Sequence, residues 1–206
     1  MEIFMGWNGV LALYFVIAAV SFVPVFQAIL KRVELHPGGD SFDKSHFKEK
    51  EKLIRHYSRL AGTLGFWKNQ GLKYKRFHYY VLCWTIPSSV FIPIVTQMTK
   101  DGDGSKLFLT AMSAFTATLL AFHRGLKVED NYKSYRHGES EFFDTYRRLL
   151  DRPEAFGETE EEQLNRYFIE VEAIRRYVRN AETDNLATMD NAKRKYEALQ
   201  SGKVAG

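Results

Sequence analysis

The side chains that could carry out chemistry are spread thinly along this sequence. Its six histidines stand at positions 36, 46, 56, 78, 123 and 137, and no two have a spacing that fixes a metal ion. The one cysteine, Cys83, lies inside an apolar run, so a single chain forms neither a disulfide framework nor a thiolate metal site. Residues 101–105, DGDGS, resemble the start of a calcium loop. Its sixth and twelfth positions are Lys106 and Met112 instead of glycine and glutamate, so we predict no metal site.

Catalytic motifs are also missing from the sequence. It has no HExxH helix, no GxSxG elbow, no Cys/His dyad pattern and no phosphate-binding glycine loop. The segment GTLG at residues 62–65 lacks a third glycine and follows no predicted strand. Charged side chains such as Glu141 and Arg147 are typical of surface ion pairs. We therefore predict that the protein is not an enzyme and needs no cofactor.

Tyrosines and arginines beyond residue 126 could contact a ligand or a second copy of the chain. The planar guanidinium of arginine suits the geometry of phosphate, so a phosphate-bearing signal is one candidate ligand. The alternative is a set of solvated arginines on helix faces. The candidate ligand or oligomer contacts are Tyr132, Tyr135, Arg136 and Glu139, and further arginines that could reach a phosphate are Arg147, Arg175 and Arg176.

Small side chains recur at helical spacing in the apolar segment that follows the DGDGS turn. Small residues three and four positions apart allow close packing of helices in lipid. They could also line a narrow, weakly polar conduit in an oligomer, and the two roles are compatible. These candidate pore-lining or helix-packing residues are Thr110, Ser113, Ala114, Ala117 and Ala121.

Three apolar runs must position these residues. Trp7–Leu30 contains no charge, and residues 77–98 form a run of about 22 residues, close to the roughly 20 that span a bilayer. The third run, residues 107–122, is about 16 residues long and spans if its flanking cations extend to the interface. We predict an N-terminal transmembrane helix (residues 1–32) and a transmembrane hairpin (residues 77–126). The alternatives are a buried hairpin of a soluble protein and an interfacial first helix.

The basic residues indicate which way these helices cross. They cluster at the ends expected to face the cytoplasm, so the N-terminus is predicted outside and the soluble part inside, at the inner (cytoplasmic) membrane. The net charge of +4 and the pI near 9.0 are mild, and cations that flank apolar runs suit an anionic lipid surface better than a nucleic acid. Pro87 and Pro93 should kink the first hairpin helix. The clustered cations are Lys31, Arg32, Lys68, Lys73, Lys75, Arg76, Arg124 and Lys127.

The remaining segments are predicted to be cytosolic helices. Residues 33–76 contain a break at HPGGD and an amphipathic helix that loosens near Gly62 and Gly65. Residues 127–180 predict a helix pair: the second hairpin helix runs straight on, and a turn near Pro153 precedes a helix opened by a capping box of Thr159 and Glu162. Residues 181–206 are a polar tail. The fold class is an all-α integral membrane protein with a cytosolic helical bundle.

The order of these segments resembles a known family. A charged helix ends HYSRLAGTLGFWKNQGLKYKRFHYYVLCWTIPSSVFIPIV, a tight turn follows, and a small-residue helix continues into NYKSYRHGESEFFDTYRRLL. This layout resembles the SLATT proteins, prokaryotic two-transmembrane effectors associated with SMODS nucleotidyltransferases and SLOG sensors. The resemblance covers residues 47–178, with IPSS at 86–89 and Tyr135-Arg136 followed by Glu139 as its most telling parts. The helix Trp7–Leu30 is an addition to that two-helix core.

This resemblance implies a membrane effector of a bacterial conflict or anti-phage system. Such proteins are expected to oligomerise and to perturb the inner membrane when a nucleotide signal arrives. The implied partners are membrane lipid, further copies of the chain, and a nucleotide-signalling partner or second messenger. We therefore expect an oligomeric pore- or channel-forming effector. The alternative is a non-conducting scaffold whose cytosolic helices recruit a partner.

Overall fold

The structure, a computed structural model, describes residues 6–34, 40–43, 45, 47–98 and 104–182. Within these ranges all regular structure is helical, which confirms the all-helical prediction. The expected break near residues 36–39, the turn at 99–103 and the tail from 183 onward lie outside the described residues. The elements are α1 (Trp7–Leu30), α2 (Asp40–Asp43), α3 (Lys50–Met98), α4 (Ser105–Gly125), α5 (Val128–Asp151), a 3-10 turn (Pro153–Phe156) and α6 (Glu160–Glu182).

Helix α3 is a single helix of 49 residues. The prediction that the chain loosens at Gly62 and Gly65 is wrong, because both residues lie inside α3. An isolated glycine weakens a helix by only about 1 kcal/mol, too little to end one that packing supports on both sides. The helix also continues through Pro87 and Pro93. Each proline lacks the N–H that would bond to a carbonyl one turn earlier in the helix. The Ser89 hydroxyl does not replace either missing donor, because it donates to the Ile86 carbonyl at 2.6 Å.

The chain divides into two compact units, and α3 contributes to both. The first, here called the apolar unit, comprises residues 1–32 and 72–129. Its buried centre consists of Val25, Tyr80, Val81 and Leu119. Polar contacts to α1 accompany this packing: the Tyr80 hydroxyl donates to the Ala18 carbonyl at 3.2 Å, and the Trp84 indole N–H donates to Ser21 Oγ at 3.0 Å.

Most of the apolar unit's hydrocarbon surface is uncovered. In the most apolar 18-residue windows of α1, α3 and α4, the buried shares are 11%, 17% and 28%, and each helix is long and apolar enough to cross a membrane. A soluble protein rarely leaves so large a contiguous apolar surface in water. The exposed side chains of α1 are also large, among them Leu13, Phe15, Val16, Ile17, Val20, Val23 and Phe26.

Helix α4 does not run on into α5, contrary to our expectation. It ends at Gly125, and Lys127 adopts a left-handed conformation with φ of 46° before α5 begins. The Leu126 N–H still donates to the Phe122 carbonyl at 2.9 Å, and the Lys127 N–H donates to the Arg124 carbonyl at 3.0 Å. These bonds cap α4 and offset part of the steric cost of a left-handed lysine. Absence of proline alone therefore did not predict a continuous helix.

The second unit, here called the bundle unit, comprises residues 33–71 and 130–206. The N-terminal part of α3 packs with α5 and α6 around an aromatic-rich core. The amphipathic pattern of α6 and its capping box are confirmed: the Glu162 N–H donates to Thr159 Oγ1, and the Thr159 N–H donates to Glu162 Oε2, both at 3.3 Å. The largest fully buried side chains of this unit are Phe42, Leu53, Leu64, Phe142, Leu149, Leu164, Tyr167, Val171 and Val178.

Gly138 is the point of closest approach within the bundle unit. A Cβ atom built at this position of α5 would overlap Val178 Cγ2 of α6 and would lie 3.5 Å from the Trp67 ring of α3. The glycine therefore permits a spacing between helices that any larger residue would prevent. In the sequence it interrupts the apolar face of α5, and the structure gives it this steric role.

We predict that Gly138→Ala lowers the stability of the bundle unit by about 1–3 kcal/mol, because the added methyl group overpacks a filled core. Thermal unfolding of the full chain in detergent, followed by helical circular dichroism, measures the change. Gly62→Ala is the matched control, since a Cβ atom there meets nothing within 4 Å. That variant should gain about 0.5–1 kcal/mol from helix propensity. Equal unfolding temperatures for the two variants would contradict the close approach.

Candidate functional site

The predicted small-residue positions of α4 lie mainly on its uncovered side. The side that faces the rest of the apolar unit carries Phe108, Met112, Thr116 and Leu119, all buried. A helix turns by about 100° per residue, so positions 110, 114, 117 and 121 fall on the opposite side. Thr110, Ala114, Ala117 and Ala121 are exposed there, and Ser113 is half-buried at the edge.

This uncovered side of α4, here called the small face, differs chemically from that of α1. Large hydrocarbons such as Phe15 and Phe26 make up much of the outward side of α1, whereas positions 110, 114, 117 and 121 of α4 carry threonine and alanine, with Leu107, Leu120 and Phe122 exposed elsewhere on the helix. The Thr110 and Thr118 hydroxyls donate to the Lys106 and Ala114 carbonyls at 2.9 and 2.8 Å, so each hydroxyl proton is bonded within α4. A face of this kind lets another helix approach closely.

A cleft on the bundle unit brings together cationic and aromatic side chains. Five of its lining residues lie along one side of α5 at successive turns, and the sixth comes from α6. The cavity measures about 430 Å³. Tyr177 meets His137 edge-on, with ring centroids 5.8 Å apart. The lining residues are Tyr132, Lys133, Arg136, His137, Ser140 and Tyr177.

Two of the four predicted contact residues line this cleft, and two do not. Tyr132 and Arg136 are in its wall. Tyr135 is buried, with its ring 5.9 Å from that of Phe66, and packs in the core instead of lining the cleft. Its position on α5 turns it toward α3. Glu139 is mostly buried and holds Arg136 through an ion pair of 3.1 Å, so it positions that arginine from outside the lining.

Sequence reasoning missed four lining residues: Lys133, His137, Ser140 and Tyr177. The first three, together with Tyr132 and Arg136, recur at helical spacing and form a polar stripe along one side of α5. This spacing is visible in the sequence and could have predicted them. The contribution of Tyr177 depends on how α5 and α6 pack, which no local pattern gives. Arg147 and Arg176 form ion pairs with Asp144 and Glu172, and neither lines the cleft.

The apolar unit holds a pair of histidines that the sequence did not predict. His78 Nδ1 lies 2.8 Å from His123 Nε2, although the two residues are 45 positions apart. One ring must donate its N–H while the other accepts. Among the described residues no group of three or more histidine, cysteine, aspartate or glutamate side chains could hold a metal ion. The pair therefore joins α3 to α4 by a hydrogen bond.

A groove of about 500 Å³ also opens in the apolar unit. Its walls include Ile17, Trp84, Phe91 and Met112, so hydrocarbon lines most of it. The Tyr14 hydroxyl in the same wall has no hydrogen-bond partner among the described residues. The chemistry of the groove suits the hydrocarbon tail of a lipid.

Two polar atoms of the bundle unit are buried without a hydrogen-bond partner among the described residues: Nδ1 of the half-buried His56 and the hydroxyl oxygen of the buried Tyr167. Burial lowers the pKa of His56 to about 4, and the positive charges of Arg59 and Arg175 act in the same direction. Burial likewise raises the pKa of Tyr167. Both groups are held neutral near neutral pH, and neither faces the cleft.

No protein-family model, curated protein or solved structure matches this chain. Its function must therefore be inferred from the small face, the cleft and the uncovered apolar surface. Of these, the small face and the apolar surface belong to one unit, and the cleft belongs to the other.

We predict that the bundle unit loses stability as the pH falls from about 6.5 toward 4. In this window the unfolded chain protonates His56 while the folded chain does not, so protons favour unfolding. Because the ring is partly exposed, solvent screening reduces the effect to on the order of 1 kcal/mol. Chemical denaturation of the full chain in detergent at pH 7 and pH 4.5 measures it.

His56→Gln should make the pH dependence shallower, whatever it does to stability at pH 7. His137→Gln replaces an exposed histidine of α5 and is the control. An unchanged slope in His56→Gln would show that the ring is not kept neutral by the fold.

Proposed function

We propose that the protein is an oligomeric membrane effector that forms a pore or channel and perturbs the inner membrane of a bacterium when activated. The observation that carries this proposal is the small face of α4. It is uncovered, and its positions 110, 114, 117 and 121 carry only threonine and alanine, whereas α1 exposes many large hydrocarbons. A small, hydroxyl-bearing face is suited to contact between neighbouring subunits and to a narrow, weakly polar pathway.

Membrane insertion explains the uncovered apolar surface. Each large apolar side chain left in water costs about 1.5–3 kcal/mol relative to burial, and the apolar unit exposes many of them. Lipid tails would cover α1 and the apolar part of α3. The flanking cations then favour an N-terminus outside the cell and a bundle unit in the cytoplasm.

A passive pathway fits the chemistry of the spans better than coupled transport. Residues 7–30, 77–98 and 107–122 contain no aspartate, glutamate, lysine or arginine, and their one histidine, His78, lies one residue inside the start of its span and is hydrogen-bonded to His123. Proton relays and voltage sensors depend on ionisable groups within the membrane. Hydroxyls and small side chains are sufficient for a water-filled conduit formed by several copies of α4.

The biological setting is proposed from the resemblance to the SLATT proteins. The order of a charged helix, a hairpin and a following helix corresponds to α3, α4 and α5. On that basis the protein belongs to a bacterial conflict or anti-phage signalling system, and its bundle unit receives a signal. The helix α1 packs on the hairpin and is an addition to the two-helix plan.

We predict that the protein stays in the membrane fraction after washing with alkaline carbonate, because its apolar surface is held by lipid and not by a partner protein. Fractionation of expressing cells followed by immunoblotting measures this. A peripheral membrane protein of known behaviour provides the control. Recovery of the chain in the soluble fraction would overturn the membrane assignment.

We predict that nanodisc-extracted protein has the mass of a ring of at least four subunits by native mass spectrometry, and that it makes ion-loaded liposomes leak. Ala117→Phe should reduce assembly or leakage at least about 10-fold, because a phenyl ring blocks close approach at the small face. Ser113→Phe should act similarly from the edge of that face.

Ala19→Phe is the matched control, since Ala19 is an exposed alanine on α1 and the substitution is the same. It should leave mass and leakage nearly unchanged. The pore proposal would be contradicted if Ala19→Phe and Ala117→Phe changed mass and leakage equally, or if the wild-type protein were a monomer. A ring that forms but leaks no ions would favour the scaffold function instead.

A further inference from the structure

We propose that the cleft between α5 and α6 binds a nucleotide, with Arg136 exchanging Glu139 for a ligand phosphate. The inference names the activating ligand of the proposed function and rests on that function for its consequence. The binding itself depends on the cleft alone.

The charges of the cleft favour an anion. Lys133 and Arg136 carry fixed positive charges in its wall, and His137 adds a ring that can donate hydrogen bonds. The neighbouring carboxylates lie outside the lining: Glu139 pairs with Arg136 at 3.1 Å, and Glu141 lies 3.8 Å from His137. The lining itself therefore contains cationic and neutral side chains and no carboxylate. Phosphate is the anion whose geometry best suits arginine.

The ion pair of Arg136 is built for exchange. The arginine side chain is 68% exposed, whereas that of Glu139 is 13% exposed, so the guanidinium is the partner that a ligand can reach. An i,i+3 ion pair on a helix stabilises it by only a few tenths of a kcal/mol. A phosphate with more than one negative charge competes successfully for the same guanidinium. Glu139 therefore holds the position next to the Arg136 guanidinium that a ligand phosphate would take.

The aromatic residues indicate that more than a phosphate is bound. Tyr132 and Tyr177 come from different helices and line the same cavity. Phenol rings in this position provide a stacking surface for a base, a contact that is tolerant of base identity. Ser140 adds a hydroxyl that can donate to or accept from a polar base edge. The cavity of about 430 Å³ lies within the range of small-ligand sites.

The test uses full-length protein in nanodiscs and adenosine triphosphate as the probe, by isothermal titration. Adenosine triphosphate should bind more tightly than either inorganic tripolyphosphate or adenosine, because only the first fills both the cationic and the aromatic parts. Arg136→Ala should weaken binding on the order of 10-fold or more. Arg147→Ala is the matched control, an exposed arginine on the same helix in an i,i+3 ion pair outside the cleft, and it should not alter binding.

Glu139→Gln should change the nucleotide affinity in the opposite direction and tighten binding. In this variant Arg136 has no ion pair with residue 139 that must break before it contacts the phosphate. Tyr177→Leu should weaken adenosine triphosphate and leave tripolyphosphate unchanged. If the ion pair were only structural, the Arg136→Ala and Glu139→Gln substitutions would not be expected to change the nucleotide affinity in opposite directions. Circular dichroism of each variant checks that the helices are intact.

Three outcomes would overturn the inference. The first is the absence of saturable binding, and the second is equal weakening in Arg136→Ala and Arg147→Ala. The third is equal affinity for adenosine triphosphate and tripolyphosphate, which would leave an anion site without a base. These results are distinguishable from failure of the proposed function. If the protein forms a ring that makes liposomes leak but binds no nucleotide, only the inference about the cleft is refuted. If it is a monomer that binds nucleotide, only the pore proposal is refuted.

Discussion

Large hydrocarbons make up much of the outward surface of α1 and of the apolar part of α3, and no described helix covers them. Much else in the apolar unit follows from this. Its polar groups turn inward or bond to their own helix, as the Tyr80 hydroxyl and the Thr110 hydroxyl do. Its packed centre is small, as expected of helices that lipid would surround. The bundle unit obeys the opposite rule: its largest side chains are inside, and charged pairs occupy its surface.

Against this background the small face of α4 is the exception that needs an explanation. Hydrocarbon of any size is tolerated next to lipid, so nothing in lipid solvation selects alanine and threonine on the side of α4 that the protomer leaves open. Contact with another protein surface does select them, because backbone-to-backbone approach requires short side chains. The cleft of the bundle unit is a second such concentration of side chains, since Lys133, Arg136 and His137 stand together in its wall.

Local patterns predicted what depends on one helix at a time. The three apolar spans, the capping box of Thr159 and Glu162 and the amphipathic face of α6 were readable because each is set by spacing along the chain. Features that depend on how two helices align with each other could not be predicted from the sequence. The His78–His123 bond and the entry of Tyr177 into the cleft need the positions of two helices at once. The burial of Tyr135 depends on register in the same way: its residue type suits a ligand contact, but its ring packs against Phe66 of α3.

The close approach at Gly138 also restricts how this sequence can diverge. A descendant that replaces the glycine by alanine gains a methyl group where Val178 already stands, so the change is tolerated only if position 178 shrinks as well. The two positions are 40 residues apart in sequence, outside the reach of any local preference. Substitutions at 138 and 178 should therefore arise together, whereas Gly62 can drift freely to alanine. Such a linked pair would mark relatives of this chain even where overall similarity has faded.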